Sequence, residues 1–161
     1  MKIIAVLSLA MAIVLPAGSE GNGFELWTPS QLKALERQLS VRLDAQKFAA
    51  QGLGTFGNHS FMIAHREGNG QAELHQTQND VFLVQSGQAT LVVGGTLVEP
   101  KTVAAHEIRG SSISGGERKA LGPAMWFTSR RAYPINCWWM PERNSRISSL
   151  RFMRNSAGPP L

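Results

Sequence analysis

Between residues 58 and 100, apolar side chains recur at every second position, in short runs separated by glycine turns. SFMIAHRE alternates in this way before Gly-Asn-Gly, and QAELH forms a second short run. DVFLVQSGQATLVVGGTLVEP adds two runs joined at Ser86-Gly87 and a third after Gly94-Gly95. A period of two is typical of strands whose alternate side chains point to opposite faces of a sheet. Short strands with tight glycine turns predict an all-β fold, an antiparallel sandwich or barrel.

A helix is expected before these strands. Thr28 can act as its N-cap, Pro29 suits the first helical position, and Gln31 can complete a capping box. Four leucines then recur at spacings of three and four, which is typical of one apolar stripe of an amphipathic helix: Leu32, Leu35, Leu39 and Leu43. We expect a helix at about residues 29–47 that packs on the sheet or on a neighbouring subunit, and the glycine-rich QGLGTFG ends it.

Three side chains with metal-ligating groups lie close together in AELHQTQNDVFLVQSG. Glu73 and His75 are two residues apart, so they point to one face of the same strand, and Asp80 opens the next strand. An imidazole and two carboxylates directed into one barrel suit a borderline or hard divalent metal such as Zn, Fe or Mn. The alternative is a polar barrel lining of hydrogen-bonded side chains, because a metal site needs three or four convergent ligands.

This stretch resembles the first motif of the cupins. The family has a glycine, a His-x-His pair, an acidic residue and a second glycine. Here Gly70 is followed by Glu73-x-His75, by Asp80 after four residues and by Gly87 after six more. Glu73 replaces the usual first histidine and Asp80 the commoner glutamate, but both supply oxygen ligands. The resemblance covers about residues 58–99, including the turn and strands of GQATLVVGG.

The resemblance implies a cupin-like antiparallel jelly-roll barrel with Glu73, His75 and Asp80 lining its site. It also implies a small exported bacterial protein that binds or acts on a small polar molecule, with Fe, Mn, Zn or Ni as the divalent metal. His65, on the preceding strand, is either a further ligand or an ordinary strand residue, and His59 and His106 are expected in loops or at the surface.

The second hypothesis is a metal-free, non-catalytic ligand-binding or structural barrel that dimerises through a sheet face. The sequence assigns no catalytic residue.

The sequence after Pro123 does not continue the strand pattern. Cupins carry a second motif, G-D-x-x-x-[IV]-P-x-G-x-x-H, which supplies the last metal histidine and the strands that close the barrel. Here KALGP is followed by AMWFTSRRAYPINCWWMPERNS, which crowds three tryptophans, the only cysteine and several arginines together with no period of 2 or 3.6. We therefore expect a jelly roll that is incomplete at its C-terminal end, followed by an irregular segment at 124–161.

A shift of one base in the reading frame explains this break. Read from the third base of each codon, Met-Trp-Phe encodes two valines, and Asn-Cys-Trp-Trp-Met-Pro encodes Leu-Leu-Val-Asp-Ala, without any freedom of choice. Over the whole stretch from Ala124 to Pro141, the shifted frame allows the sequence D-V-V-H-I-P-A-G-I-P-H-Q-L-L-V-D-A. This sequence contains P-x-G-x-x-H at the required spacing. The sequence thus predicts a frameshift near Pro123-Ala124. The alternative is a genuine divergent tail that presents exposed aromatic residues to a partner.

The positive charge of the chain is confined to the same segment. The net charge of +5 arises entirely after Ala124, where six arginines accompany Glu142 alone without helical spacing or a glycine-aromatic RNA-binding motif. We therefore expect no nucleic-acid partner. The single Cys137 cannot form an internal disulfide.

At 161 residues the chain is expected to form one small domain. It divides into a signal peptide at 1–19, the helix and linker at 20–57, the cupin-like β domain at 58–123 and the aberrant tail at 124–161.

The segment at 1–19 has Lys2, an apolar run from Ile3 to Leu15, then Pro16 and small residues, as secretory signal peptides do. The run is shorter than the about 20 residues that span a bilayer. A periplasmic or secreted protein without a stable membrane span is expected, and a membrane anchor or buried helix is the alternative.

Overall fold

The computed structural model describes residues 24–138 and 147–155. The predicted signal peptide at 1–19 lies outside the described residues. The described part of the chain holds one helix and thirteen strands. In chain order they are α1 (Pro29–Ser40), β1 (Phe48–Phe56), β2 (His59–Arg66), β3 (Ala72–His75), β4 (Gln78–Gly87), β5 (Ala89–Val93), β6 (Thr96–Val98), β7 (Lys101–Ala104), β8 (Glu107–Gly110), β9 (Ser112–Ser114), β10 (Glu117–Leu121), β11 (Trp126–Ser129), β12 (Ile135–Trp138) and β13 (Ile147–Asn155).

The helix begins where the sequence predicts. The backbone amide of Gln31 donates to Oγ1 of Thr28 at 3.4 Å, and the amide of Thr28 donates to Oε1 of Gln31 at 2.8 Å, which completes the capping box. The helix ends at Ser40, earlier than the expected residue 47. Oδ1 of Asp44 accepts the backbone amides of Gln46 and Phe48, both at 2.9 Å. This local turn competes with further helix, as short acidic side chains commonly do.

Two antiparallel sheets form the body of the molecule. The first has the strand order β1-β2-β13-β4-β11, and the second has the order β10-β5-β12-β3-β8-β7. Their facing surfaces share one buried core, to which both sheets contribute: Val84 and Ile147 from the first, and Ala89, Leu91, Leu121 and Ile135 from the second. Phe82 and Phe127 stack beside it with ring centroids 4.4 Å apart. The predicted all-β jelly roll is confirmed.

Helix α1 covers the outer face of the first sheet. Leu39, Ala49 and Ile63 are buried together there, and four partly buried leucines surround them: Leu32, Leu35, Leu43 and Leu53. The apolar stripe predicted for the helix is thus the surface that packs on β1 and β2. The alternation along β2 places Ile63 and His65 on this outer face, while Met62, Ala64 and Arg66 line the interior.

The expectation of an incomplete barrel and an irregular tail is wrong for the described residues after Ala124. Strand β11 pairs with β4, β12 pairs with β5 and β3, and β13 lies between β2 and β4. The physical reason is that sheet pairing satisfies backbone N–H and C=O groups whatever the side chains are. Phe127, Ile135 and Ile147 also happen to place apolar side chains in the core.

Other side chains of the tail fit their positions poorly. Asn136 is 2% exposed, and within residues 24–138 and 147–155 its Oδ1 has no hydrogen-bond partner. Trp126 is 69% exposed, and Met125 and Tyr133 are exposed as well. A buried amide and an exposed tryptophan reverse the usual preference of these residue types. Of the described tail strands, β12 carries a buried amide next to the buried Ile135, whereas β11 alternates exposed and more buried side chains.

In the described residues, no helix combines the length and apolar character needed to cross a membrane.

Candidate metal centre

The three predicted ligands meet where the chain passes from one sheet to the other. Glu73 and His75 lie on β3 in the second sheet, and Asp80 lies on β4 in the first. Two backbone hydrogen bonds hold the short connection: the amide of Gln76 donates to the carbonyl of His106 at 2.8 Å, and the amide of Ala132 donates to the carbonyl of His75 at 2.7 Å. The alternation of β3 brings Glu73 and His75 to one face, as the sequence predicts.

The liganding atoms converge closely. Nε2 of His75 lies 3.9 Å from Oε2 of Glu73 and 3.8 Å from Oδ2 of Asp80, and all three ligand atoms lie within 4.8 Å of one another. Atoms that share a metal at bond lengths of about 2.0–2.2 Å are themselves roughly 3–4 Å apart. The spacing therefore fits a divalent metal with only small side-chain movements.

Burial increases the need for a positive charge at this site. The side chain of Asp80 is 1% exposed, that of His75 11% and that of Glu73 19%. Ser129 donates its hydroxyl to Oδ2 of Asp80 at 3.4 Å, a long hydrogen bond. Two carboxylates removed from water are costly unless a cation balances them, and a divalent metal would do so.

The other histidines lie elsewhere. His65 is on the outer face of β2, under α1, and its Nε2 lies 3.1 Å from Oε1 of Glu67. The strand alternation thus excludes it from the group of ligands, and the interpretation as an ordinary strand residue is correct. His59 stacks on Phe56 with ring centroids 5.8 Å apart, and His106 is exposed in a turn between β7 and β8.

A cavity of about 460 Å³ lies between the sheets, and of the three ligands Glu73 lines it. Glu73 borders it, together with apolar residues of both sheets and with two arginines that the sequence did not single out, Arg66 and Arg109. Nη2 of Arg109 lies 3.9 Å from Oε2 of Glu73, so this carboxylate faces both the ligand group and the cavity. The alternation on β2 could have indicated Arg66, which shares a face with Met62 and Ala64.

Comparisons with known proteins agree with this architecture. No family model matches the chain, and no curated protein sequence does either. A conserved protein of unknown function from Streptococcus pyogenes aligns over 88% of this chain and 99% of its own, at 8% identity and a TM-score of 0.53.

Two further solved structures also align. A cupin superfamily protein from Desulfitobacterium hafniense DCB-2 aligns over 73% of this chain and 88% of its own, at 10% identity and a TM-score of 0.48. The DMSP lyase DddQ from Ruegeria pomeroyi DSS-3 aligns over 74% of this chain and 54% of its own, at 14% identity and a TM-score of 0.49. This chain therefore spans about half the length of that lyase.

The fold and the candidate site define a class of protein. The two-sheet antiparallel barrel with its interior cavity is an all-β jelly roll, as the sequence predicts. Glu73, His75 and Asp80 form a group that could hold a metal ion.

Proposed function

We propose that this chain is a cupin-domain protein that holds a divalent metal at Glu73, His75 and Asp80 and binds a small polar molecule in the adjoining cavity. The observation that carries the proposal is the convergence of the three ligand atoms within 4.8 Å, with one of them, Glu73, also lining a 460 Å³ cavity. A cavity of this size is in the usual range for small-molecule sites.

Fe, Mn, Zn and Ni are the metals that such a ligand group suits, since it combines one imidazole with two carboxylates. When bound at these three residues, the metal would supply a Lewis acid. Glu73 is the ligand that lines the cavity, so it would contact both the metal and a molecule bound in the cavity. Asp80 and His75 lie deeper and would fix the metal in the wall of the barrel.

A frameshift near Pro123-Ala124 is part of the proposal, and it would impair the site in this chain. What supports it is a position: Ile135 lies directly opposite Glu73 in the pairing of β12 with β3. In the other reading frame, the histidine of P-x-G-x-x-H comes from the codons of Pro134 and Ile135. A histidine encoded there would stand at or next to the position opposite Glu73, where it could supply a further ligand. The poorly fitting Asn136 and Trp126 are consistent with the same proposal.

The test compares the chain as given with a chain in which the frame is restored. Both are purified, exposed to Mn²⁺, Fe²⁺, Zn²⁺ or Ni²⁺, desalted and analysed for bound metal. We expect stoichiometric metal in the restored chain and less in the chain as given. His75→Ala should abolish binding, whereas the exposed His106→Asn serves as a matched control and should retain it. Sequencing the gene through this region decides the frameshift directly, since an intact frame would refute it.

The second candidate function is a metal-free binding or structural barrel, which forms a homodimer through a sheet face. The contacts of Arg109 with Glu73 and of Ser129 with Asp80 favour it, because they partly satisfy the two carboxylates without a metal. A restored chain that unfolds cooperatively and binds no metal at any concentration tested would establish this alternative.

Export remains part of the proposal on the strength of residues 1–19, which have the composition of a signal peptide. Fractionation of bacteria that express the full gene tests it. A periplasmic or secreted product that has lost its N-terminal residues is expected, and a full-length product retained in the cytoplasm would contradict it.

A further inference from the structure

Two further charged residues lie beside the candidate metal ligands, on the neighbouring strand. In the antiparallel pairing of β3 with β8, Glu107 lies directly opposite His75 and Arg109 lies directly opposite Glu73. Residues that are directly opposite in an antiparallel pair share one face of the sheet, and so do residues two apart on one strand. The register therefore places Glu107 and Arg109 on the face that carries two of the three ligands.

Arg109 interacts with a carboxylate on each of the two strands. Its Nε donates to Oε1 of Glu107 at 2.7 Å, and its Nη2 lies 3.9 Å from Oε2 of Glu73. The same Oε2 of Glu73 lies 3.9 Å from Nε2 of His75. The oxygen that would bind a metal thus also faces a guanidinium, which is a group that keeps its positive charge throughout the working pH range of proteins.

The guanidinium has opposite effects on Glu73 with and without a metal. The side chain of Glu73 is 19% exposed, and without a metal the positive charge of Arg109 offsets the cost of burying its carboxylate. With a divalent ion at Glu73, the guanidinium becomes a neighbouring like charge. At separations of a few ångströms, this repulsion lowers the affinity for the ion by about tenfold, even with the screening of water.

We propose that Arg109 competes with the metal for Glu73, and that Glu107 limits this competition. The carboxylate of Glu107 neutralises part of the charge of the guanidinium and holds it through a charge-assisted hydrogen bond. Arg109 and Glu107 thus set the affinity of the metal centre without being ligands of the ion. The inference rests on the proposed function in taking Glu73 as a metal ligand.

Isothermal titration calorimetry of the full chain with Zn²⁺ tests the competition through two substitutions of opposite sign. Arg109→Gln should bind Zn²⁺ about tenfold more tightly than the unsubstituted chain, because the repelling charge beside Glu73 is removed. Glu107→Gln should bind it about tenfold more weakly, because the guanidinium then acts on the ion with its full charge. Arg109→Lys keeps the charge and should remain within about threefold of the unsubstituted chain.

The matched control is the ion pair of Lys119 with Glu117, which are also two positions apart on one strand of the second sheet. Their strand, β10, is separated from β3 by β5 and β12, a distance of about 14 Å at about 4.8 Å for each strand. This exceeds the Debye length of about 10 Å at 0.1 M salt. Lys119→Gln and Glu117→Gln should therefore leave the affinity for Zn²⁺ unchanged.

Unfolding in EDTA separates competition from a purely structural role of Arg109. Without metal, Arg109→Gln should lower the urea midpoint, because Glu73 and Glu107 lose the positive charge that they share, although the same substitution raises the affinity for Zn²⁺. A residue that only supported the fold would lower both.

Two results would overturn the inference and leave the metal centre standing: unchanged or weaker Zn²⁺ binding by Arg109→Gln, or unchanged or tighter binding by Glu107→Gln. If Arg109→Gln does not unfold cooperatively, Glu107→Gln decides the question alone. The absence of Zn²⁺ binding from every chain, including the one with the restored frame, would refute the metal centre and this inference together.

Discussion

Ile135 lies directly opposite Glu73 where β12 pairs with β3, and both residues border the interior cavity. An apolar side chain thus occupies the position on the neighbouring strand from which another ligand could reach the metal centre. Glu73, His75 and Asp80 come from only two strands of the barrel.

Ile135→His should therefore strengthen metal binding. The added imidazole would supply a ligand from β12, and three-ligand sites gain affinity when a fourth ligand of suitable type is present. We expect an increase of about tenfold or more in affinity for Zn²⁺ or Ni²⁺, equivalent to ~1.4 kcal/mol, by isothermal titration calorimetry. Ile135→Leu preserves the apolar contact and should show no gain. Equal affinities in the two variants would contradict the assignment of this position.

Asn136→Leu should stabilise the chain. Asn136 is buried, and its Oδ1 finds no hydrogen-bond partner within the described ranges, which costs about 1–3 kcal/mol. Urea unfolding followed by circular dichroism should give a free energy of unfolding that is higher by about 1 kcal/mol. Asn136→Asp buries a charge at the same position and should shift stability in the opposite direction. A destabilising leucine would mean that the amide is satisfied in solution.

Leu39→Ala should loosen helix α1 from the sheet. Leu39 is buried against Ala49 and Ile63, and removing a leucine side chain from a core commonly costs about 2–5 kcal/mol. The expected measurement is a fall of that size in the free energy of unfolding. Leu26→Ala removes an equal volume from an exposed position and should change stability by less than about 0.5 kcal/mol. A similar effect of both substitutions would show that α1 does not pack as described.

Ser86→Ala should weaken a second attachment of the helix. The pairing of β4 with β13 shifts at Gln85, so Ser86 reaches the outer face, where its hydroxyl donates to Oε1 of Glu36 on α1. Loss of a hydrogen bond to a charged group costs about 1.5–3 kcal/mol. A double-mutant cycle with Glu36→Gln measures the coupling. Strictly additive effects of the two substitutions would exclude a direct interaction.

Several features followed from the sequence because they depend on local rules. The capping residues fixed the start of α1, and the alternation on β3 placed Glu73 and His75 on one face. Asp80 could be added because it opens the next strand, and the cupin resemblance relates the same positions. In each case the determining interactions span only a few residues of the chain.

Other features depend on which strands become neighbours, and the sequence could not supply them. Arg66 and Arg109 lie 43 positions apart in the numbering, and only the closure of the two sheets brings both to one cavity. The strands of the tail were missed for a related reason. Their backbones pair with β2, β4 and β5, which are distant parts of the chain that no local sequence pattern specifies as neighbours. The end of α1 was misplaced because the side chain of Asp44 forms a turn that the leucine spacing does not reveal.

The passage of the chain between β3 and β4 has a consequence for stability. Glu73 and His75 belong to one sheet and Asp80 to the other, so a metal held by all three would cross-link the two halves of the barrel. An ion that binds only the folded chain raises its free energy of unfolding by about 2.7 kcal/mol at a concentration one hundred times Kd. Resistance of this protein to heat would then vary with the supply of metal around it, and depletion of the metal would weaken the junction between the two sheets.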